Sequence, residues 1–446
     1  MEFSLSQIAA VLHSPAPHGG RITGWSVDSR TITPGNLFFA LRGPNHDGSA
    51  YVEEVLKKGA IAAVAERKFP GPVLVVPDAL LALQQVATWA RDQWGGEVVG
   101  ITGSAGKTST KDVIAQMLAV RLYTGKTIGN FNNHVGVPLS ILRLPSNAEV
   151  AVLEIGMNHA GEILDLSKIA RPRIGVVTNV GYAHIEAFDS IDGIAAAKRE
   201  LIDSLPPDGI AVLNADDPRV ARFEDGRAGR TITFGLSEEA DIRAEDLELL
   251  PESSRFRVGD VHFETRLPGR PGILNVLAGI AVAGIYEISP QHLPEVVAAL
   301  VPGKMRGERF TVHGIQILND CYNSNPDAAR AMIGVLRDTP ARRRIAVLGE
   351  MLELGRWSEC LHRDVGRYIA ECGIHVLVGI RGAARFTVDA AVEAGLAVDA
   401  AYFFDDPANA GDYLRQIAQE GDAILFKGSR GTRVELALER FLLKSS

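Results

Sequence analysis

The sequence contains few cysteines and no long apolar run, and both shortages limit what kind of protein it encodes. Only three cysteines occur in 446 residues, with no CxxC pair and no spacing typical of metal ligands. This excludes a disulfide framework and indicates a reducing compartment. No stretch approaches the roughly 18 apolar residues of a membrane span, and the start MEFSLSQIAAVLHSP lacks the features of a signal peptide. We therefore expect a cytoplasmic protein without membrane insertion.

Positive charge is also in short supply. The 46 Lys and Arg residues against 54 Asp and Glu residues give a net charge of −8. This mildly acidic balance excludes general binding to nucleic acids or to anionic membranes. An anionic ligand must therefore be held by a few placed cations rather than by the overall charge.

Internal repeats and low-complexity segments are absent as well, and the remaining pattern predicts an α/β fold. Short β-branched runs alternate with Ala- and Leu-rich segments of helical periodicity, which indicates parallel sheets covered by helices. Continuous apolar runs of this kind are typical of strands buried on both faces. We expect strands at 98–102, 150–155, 174–178, 210–213, 345–348, 375–378 and 423–426. We expect helices at 108–120, 191–204, 326–337, 361–371 and 408–420.

A chain of this length suggests about three domains. We place them at 1–87, 88–303 and 304–446. The second is interrupted by a Gly-, Asp- and Glu-rich, β-like stretch near 225–269. The third is entered through Pro302 and Gly303, which favour a hinge.

The strongest local signal is a glycine-rich loop between an apolar strand and a helix, Gly103-x-x-Gly106-Lys107-Thr108. Glycines let successive backbone N–H groups point at phosphate oxygens, and the following helix adds the positive end of its dipole. Lys107 would neutralise phosphate charge, and the Thr108 hydroxyl would bind Mg²⁺. Ile101 stands where the usual GxxxxGK[ST] pattern has its first glycine. The alternative is a glycine-rich turn with a surface lysine, but the context favours ATP binding. The loop residues concerned are Thr102, Gly103, Ser104, Ala105, Gly106, Lys107, Thr108 and Ser109.

Three other residues are candidates for the same site. Glu154 ends an apolar strand at its carboxyl end, where open α/β sheets bind ligands, and an acid there can hold Mg²⁺ directly or through water. His184 follows another predicted strand, and Lys198 lies in a helical segment. Each also has an ordinary structural interpretation: a strand-end acid, a structural histidine and a solvated helical lysine.

These motifs and several others, in order along the whole chain, resemble the Mur ligase family, the ATP-dependent amide-forming enzymes of peptidoglycan precursor synthesis. The segments 27–30, 34–38 and 47–48 resemble the UDP-substrate domain of two of these ligases. The stretches DCYNSNP and KGSR resemble the type that joins D-alanyl-D-alanine to UDP-N-acetylmuramoyl-tripeptide. The other matching segments are 102–108, 129–136 with Pro138, 154–159, 179–184, 214–218 and 304–310.

The resemblance implies a three-domain architecture. The N-terminal domain (1–87) would bind the UDP-substrate. The central domain (88–303) would bind ATP on a P-loop-type, mostly parallel sheet with helices on both faces. The C-terminal ligase domain (304–446) would be Rossmann-like.

The resemblance also implies a reaction with ATP and Mg²⁺ as cofactors. The terminal carboxylate of UDP-N-acetylmuramoyl-tripeptide would attack the γ-phosphate of ATP, and the amine of D-alanyl-D-alanine would then displace phosphate from the acyl phosphate. The partners would be these small molecules, without nucleic acid, and the protein would be a monomer.

Residue roles follow from the matching positions. The implied catalytic residues are Lys107, Lys198, His184, Arg306 and Asp320, with Asn275, Arg306 and Asp320 also contacting ATP. The implied metal ligands are Thr108, Glu154, His184 and Lys198, the last as a carbamate formed with CO₂. The implied substrate-binding residues are Ser29, Arg30, Asp47, Gly48, Asn133, Asn323, Asn325 and Arg430.

Four positions depart from the family pattern. The HNxxNxxAA segment keeps Asn275 but has Pro271 and Gly272 in place of its histidine and first asparagine. Ala328 replaces a serine, and Ala105 stands where relatives often have asparagine. The contacts of the missing side chains are therefore in question.

Three alternatives remain on the sequence. Folylpolyglutamate synthase shares the ATP chemistry and the last two domains but lacks a block like 1–87. The ligase of the preceding step, which adds a single amino acid, typically carries a DNPR motif that is missing here. A nucleotide-regulated switch would bind ATP, but its activity would not depend on Lys198.

Overall fold

The computed structural model describes residues 3–17, 19–43, 46–250 and 252–443. Its N-terminal part is built on a four-stranded parallel sheet with the order β3-β4-β5-β6, beside a short antiparallel pair, β1-β2. The elements of this part are β1 (Phe3–Ser4), α1 (Leu5–Val11), β2 (Arg21–Ile22), β3 (Gly24–Ser26), β4 (Asn36–Phe39), α2 (Val52–Lys57), β5 (Ala62–Ala65), β6 (Val73–Val75) and α3 (Ala79–Trp94).

Helix α3 joins the N-terminal part to the rest of the molecule. Asp78 caps its first turn by accepting a hydrogen bond from Leu81 N, and Gly95 ends it in a left-handed conformation. Trp94 Nε1 donates to Ala148 O at 2.7 Å, and Arg91 Nε donates to Ala170 O at 2.9 Å, both in the central part. The boundary placed between residues 87 and 88 therefore falls inside a continuous helix.

The central part contains a seven-stranded sheet with the order β13-β12-β11-β10-β7-β9-β8, in which every pair is parallel. Helices α4 and α8 pack on one face, and α5, α6 and α7 pack on the other. The elements are β7 (Glu97–Thr102), α4 (Lys107–Leu118), β8 (Thr124–Lys126), α5 (Gly136–Leu142), β9 (Val150–Glu154), α6 (Glu162–Ala170), β10 (Ile174–Val177), α7 (Ile191–Asp203), β11 (Ile210–Asn214), β12 (Thr231–Gly235), β13 (Ile242–Arg243), β14 (Glu245–Leu249), β15 (Ser254–Val258), β16 (Val261–Thr265), α8 (Gly269–Ile285) and α9 (Pro294–Ala299).

The register of this sheet places the predicted site residues together. Ile101 in β7 pairs with Glu154 in β9, and Thr102 pairs with Val177 in β10. The phosphate loop, Glu154 and the segment leading to His184 therefore leave the sheet at the same edge.

The β-like stretch near 225–269 has two different parts. Strands β12 and β13 continue the parallel sheet, whereas β14, β15 and β16 form a separate antiparallel sheet in that order.

The C-terminal part contains a six-stranded sheet with the order β17-β18-β22-β19-β20-β21. Only β17 is antiparallel to its neighbour. The elements are β17 (Glu308–Val312), β18 (Ile315–Asp320), α10 (Pro326–Asp338), β19 (Arg343–Gly349), α11 (Ser358–Glu371), β20 (Val376–Ile380), α12 (Ala384–Glu393), β21 (Ala401–Phe404), α13 (Pro407–Ile417), β22 (Asp422–Lys427) and α14 (Glu435–Leu442).

An ion pair between a half-buried arginine and a buried carboxylate supports this sheet and gives a stability prediction. Arg343 Nε and Nη2 donate to the two carboxylate oxygens of Asp422 at 3.0 and 2.7 Å, and the Asp422 side chain is 1% exposed. Arg343→Met should leave a buried carboxylate unpaired and lower the free energy of unfolding by about 3 kcal/mol. Urea unfolding measures this loss. Arg342→Met, at an exposed neighbouring position, is the control, and equal stability of the two variants would contradict the prediction.

No helix among the described residues is long and apolar enough to cross a membrane. All three cysteines carry free thiols, of which Cys321 and Cys372 are buried and Cys360 is exposed. Oxidation therefore contributes no covalent support to the fold.

Candidate active site

A cavity of about 400 Å³ lies between the carboxyl edge of the central sheet and the C-terminal part. Both parts contribute side chains to its wall. The predicted site residues that line it are Ser104, Ala105, Gly106, Lys107, Thr108, Ser109, Asn133, Glu154, His184, Asn275, Arg306, Asp320, Asn323 and Asn325. Folding thus brings most of the predicted nucleotide and metal residues to one place.

The loop before α4 has the geometry of an anion-binding site. Gly106 is the N-cap residue at φ +80°, and no side chain caps the helix, so its first N–H groups remain for a ligand. A Cβ atom at Gly103 would lie 1.9 Å from Thr178 Oγ1, so only glycine fits there. Lys107 Nζ donates to Gly103 O at 2.7 Å, which holds the lysine side chain along the loop.

Glu154 is held in a fixed position at the bottom of the cavity. Thr108 Oγ1 donates to Glu154 Oε2 at 2.8 Å, and Asn132 Nδ2 donates to Oε1 at 2.7 Å. The Glu154 N–H donates to Thr127 Oγ1 at 3.1 Å, and the residue is 2% exposed. The carboxylate and the Thr108 hydroxyl offer hard oxygen donors, which suit Mg²⁺.

The donor set fits a metal that takes most of its ligands from elsewhere. Among the described residues, no group of three or more His, Cys, Asp or Glu side chains could hold an ion by itself. Mg²⁺ usually keeps waters and binds one or two protein groups together with substrate phosphates. Thr108 and Glu154, which lie beside a phosphate loop, match that mode of coordination.

Lys111 supports the segment that carries Asn132. Its Nζ donates to Thr127 O at 2.9 Å and to Gly129 O at 3.3 Å, and the residue is 2% exposed. Burial lowers the pKa of Lys111, while Asp112 and Glu154 oppose that shift. The lysine therefore connects α4 to the loop beside Glu154.

The segment after β10 forms a second wall of the site. Ser104 Oγ donates to Gly181 O at 2.9 Å and accepts from Gly181 N at 2.8 Å. Ala105 N donates to Asn179 Oδ1 at 2.8 Å. The phosphate loop is thereby tied by both backbone and side-chain bonds to the segment that ends at His184.

Two residues of the C-terminal part reach across to this wall. Asn325 caps α10 by accepting from Ala328 N, and its Nδ2 donates to Ser104 O at 3.3 Å. Asp327 Oδ2 accepts from Tyr182 N at 2.7 Å. Asn325 thus contacts the phosphate loop directly.

Lys198 lies in α7, buried beside the cavity rather than in its lining. It is 2% exposed. Burial lowers its pKa well below the usual range, and the charge of Lys107 lowers it further. No acidic group of the described residues raises that pKa in return. A solvated helical lysine is therefore excluded.

The C-terminal part contributes a cation and a partly buried carboxylate. The Arg306 guanidinium lies 3.7 Å from the centre of the Tyr322 ring, a stacked cation–π contact. Asp320 accepts a hydrogen bond from Lys427 Nζ, which also donates to Asn323 O at 3.0 Å. Burial raises the pKa of Asp320, and Lys427 opposes that rise.

Comparison with known proteins identifies the family. Models described as "Mur ligase family, catalytic domain", "Mur ligase middle domain" and "Mur ligase, glutamate ligase domain" match residues 21–81, 101–283 and 305–430. The chain is 33% identical over 437 residues to the UDP-N-acetylmuramoyl-tripeptide–D-alanyl-D-alanine ligase of Bacillus subtilis (strain 168), covering 96% of this chain and 95% of the relative. The chain belongs to the Mur ligase family.

Solved structures of Mur ligases agree with this fold. MurF from Acinetobacter baumannii matches at a TM-score of 0.89 and 29% identity, covering 98% of each chain. The MurF ligase of Thermotoga maritima, in complex with ADP, matches at a TM-score of 0.83 and 30% identity, covering 94% of this chain and 96% of that one. The predicted α/β Mur ligase architecture is confirmed.

Some residues predicted for this Mur ligase lie outside the cavity wall. Arg30 pairs with Asp28 at 2.7 Å, and Asp47 accepts from Ser49 N at 2.9 Å, both in the N-terminal part. Arg430 pairs with Glu435 at 3.2 Å. The predicted residues that do not line the cavity are Thr102, Gly103, Ser29, Arg30, Asp47, Gly48, Lys198 and Arg430.

The departures from the family pattern do line the Mur ligase cavity. Pro271, Gly272 and Ala328 are all part of its wall. Asn275 Oδ1 accepts from Thr110 Oγ1 at 2.9 Å, which fixes the amide beside the phosphate loop. The wall therefore presents fewer polar side chains at these positions than the family pattern provides.

Several residues that shape the site have weak or no signals in the sequence. Asn132 lies in a matching segment, yet nothing in the local pattern marks it as the partner of Glu154. Lys111 lies one helical turn after Lys107, and nothing in the sequence around it indicates that its side chain is buried. Glu353, whose Oε2 lies 2.7 Å from His184 Nδ1, comes from a distant part of the chain.

Proposed function

We propose that this chain is a MurF-type ligase that joins D-alanyl-D-alanine to UDP-N-acetylmuramoyl-tripeptide and converts ATP to ADP and phosphate. The observation that carries the proposal is 33% identity, over 96% of the chain, to a ligase of that name. A phosphate loop facing a buried acid, with cations from a second domain, supports it. We also infer that the protein acts as a monomer in the cytoplasm, as the family resemblance implies; the free thiols of its three cysteines agree with a reducing compartment.

The chemistry has two steps. One oxygen of the tripeptide carboxylate attacks the γ-phosphorus of ATP, and the bond to the leaving ADP breaks to give an acyl phosphate. The amine of the dipeptide then attacks the acyl carbon, and inorganic phosphate leaves as the amide forms. The first step crowds anions together, so stabilisation of charge is the main task of the protein.

The central domain would perform most of that task. The backbone N–H groups of the loop from Thr102 to Ser109 would hold the phosphates, and Lys107 would neutralise their charge. Thr108 and Glu154 would hold Mg²⁺, which when bound shields the γ-phosphate charge. Asn275 would contact adenine.

His184 and Lys198 would complete the metal region. His184 lines the cavity and could bind a cation through its free ring nitrogen. A buried lysine without an acidic partner is poised to exist as a neutral amine, whose nitrogen can add CO₂ and lose a proton. The resulting carbamate on Lys198 would carry the negative charge needed near a second Mg²⁺.

The other two domains would bind the substrates to be joined. We propose residues 1–87 as the UDP-substrate domain, with Ser29, Arg30, Asp47 and Gly48 as contacts. Asn133 would face the tripeptide from the central domain (88–303). The C-terminal domain (304–446) would bind the dipeptide through Asn323, Asn325 and Arg430. Asn325 lies beside the phosphate loop, where its amide donates to Ser104 O.

Phosphate release tests the proposal. The protein is incubated with ATP, Mg²⁺ and UDP-N-acetylmuramoyl-tripeptide, with and without D-alanyl-D-alanine. We expect release that depends on the dipeptide. Release only with a single amino acid and the UDP-dipeptide would identify the preceding ligase instead. No release with either acceptor would leave folylpolyglutamate synthesis or a nucleotide switch as the function.

Closure of the C-terminal domain should matter more for the chemical step than for nucleotide binding. Arg306→Ala removes a cation brought by that domain, so we expect kcat to fall about 10²-fold, with ATP affinity changed less than about threefold. Steady-state kinetics and calorimetry with a non-hydrolysable ATP analogue measure the two effects. Arg385→Ala removes another ring-stacked arginine, 3.9 Å from the Phe403 ring centre and outside the cavity wall, as a control. Equal losses of kcat and affinity in Arg306→Ala would contradict the closure model.

A further inference from the structure

His184 makes a direct contact between two domains. Its Nδ1 lies 2.7 Å from Glu353 Oε2. His184 belongs to the central domain and lines the cavity, whereas Glu353 lies in the C-terminal domain, between β19 and α11. The imidazole is therefore held by a carboxylate from the domain that faces the nucleotide site.

Backbone contacts on both sides hold these two loops against each other. Glu186 N donates to Glu353 O at 3.2 Å, and Arg356 Nη2 donates to Asp189 O at 3.2 Å. Gly355 has φ +49°, and a Cβ atom there would lie 2.8 Å from the Cβ of Glu186. Only glycine permits so close an approach, so the loop geometry is specific to this contact.

The carboxylate determines which ring nitrogen of His184 carries the proton. An ionised Glu353 can only accept a hydrogen bond, so the short contact requires a proton on Nδ1. The neutral imidazole then has its lone pair on Nε2, the atom left for a cation. Metal-binding histidines commonly donate their other ring N–H to a carboxylate, which fixes the tautomer and ring orientation.

We propose that Glu353 is a positioning residue that fixes the tautomer and orientation of His184 across the contact between the two domains. The proposal rests on the proposed role of His184 as a metal ligand. It couples the domain contact to metal binding: the cation site has its correctly protonated imidazole only while Glu353 contacts His184.

The first test measures the tautomer in the metal-free enzyme. Nitrogen-15 NMR of the histidines, with His184→Ala for assignment, should show Nδ1–H at His184 in the wild type. Glu353→Ala should shift that residue toward Nε2–H, and Glu353→Gln, whose amide oxygen can still accept, should retain Nδ1–H in large part. An unchanged tautomer in Glu353→Ala would overturn the proposal, whatever the function of the protein.

The second test measures Mn²⁺ affinity by electron paramagnetic resonance in the presence of a non-hydrolysable ATP analogue. Glu353→Ala should weaken Mn²⁺ binding about tenfold or more. In a His184→Ala background the same change should have no further effect, because Glu353 acts through the histidine. An equal loss in both backgrounds would overturn the proposal.

Matched variants separate the positioning role of Glu353 from the general contact between the two domains. Arg356→Ala breaks the neighbouring contact with Asp189 but leaves His184 untouched, so Mn²⁺ affinity should stay at the wild-type value. Glu359→Ala, an exposed glutamate on α11, should behave in the same way. A loss in Arg356→Ala as large as that in Glu353→Ala would overturn the positioning role. Unchanged Mn²⁺ affinity in His184→Ala would instead refute the metal role of His184. The NMR result would distinguish that outcome from a failure of the positioning role of Glu353.

Discussion

Lys107→Met should lower kcat about 10³-fold, with little change in stability. The side chain lies along the phosphate loop and is the cation placed to meet the γ-phosphate as negative charge gathers there. Removing one such group from a water-excluded site typically costs 10²–10³-fold or more in rate. Steady-state phosphate release with all three substrates measures the loss, and urea unfolding checks that the fold is intact.

A lysine outside the site provides the comparison. Lys57→Met, at an exposed position in α2, changes the net charge equally and should leave kcat at the wild-type value. Wild-type turnover in Lys107→Met would show that the loop does not handle the reacting phosphate.

Lys198→Ala should abolish turnover, with a loss of about 10²-fold or more, while binding of the ATP analogue persists. The proposed carbamate supplies an anion beside the metal region, and alanine can form none. Bicarbonate should not restore activity, because the nitrogen that adds CO₂ is gone. Short carboxylic acids should restore part of it by placing a carboxylate in the space left by the side chain.

The control for this prediction is another helical lysine. Lys168 in α6 has a side chain 63% exposed and pairs with Asp165 on the surface, so Lys168→Ala should keep full activity. Unchanged turnover in Lys198→Ala would refute the carbamate.

Local patterns predicted the parts of the structure that depend on neighbouring residues. The run from Val98 to Thr102 is apolar on both faces and is followed by glycines and a helix, which predicts a buried parallel strand and a phosphate loop. Glu154 follows from the same logic, because parallel strands end at a common edge. Fourteen of the predicted site residues line the cavity wall, beside others that the sequence did not mark.

Contacts between distant segments could not be predicted in this way. The pairing of Glu353 with His184 depends on how two domains pack against each other, and the sequence around each residue does not indicate its partner. Asn325, expected near the dipeptide, also caps α10 and donates to Ser104 O, which only the packed structure reveals. Helix α3 likewise runs through the expected domain boundary. The periodicity of a helix predicts the helix itself but does not show which domain it packs against, so the boundary could not be placed from the sequence.

The burial of Lys198 illustrates the same limit. Composition alone favours a solvated lysine in a helix, since lysines are rarely buried without a partner. Its true surroundings arise from β-strands and helices that pack around it from elsewhere in the central domain. Charge counted along the sequence therefore could not reveal a buried amine.

The most direct measurement of the central claim uses UDP-N-acetylmuramoyl-tripeptide with ¹⁸O in both oxygens of its terminal carboxylate. Incubation with ATP, Mg²⁺ and D-alanyl-D-alanine, followed by mass spectrometry, reports the product and the released phosphate together. The account predicts a product heavier by one dipeptide residue, with one ¹⁸O retained in the new amide and one transferred to phosphate. Phosphate without ¹⁸O, or a UDP-substrate of unchanged mass, would contradict it.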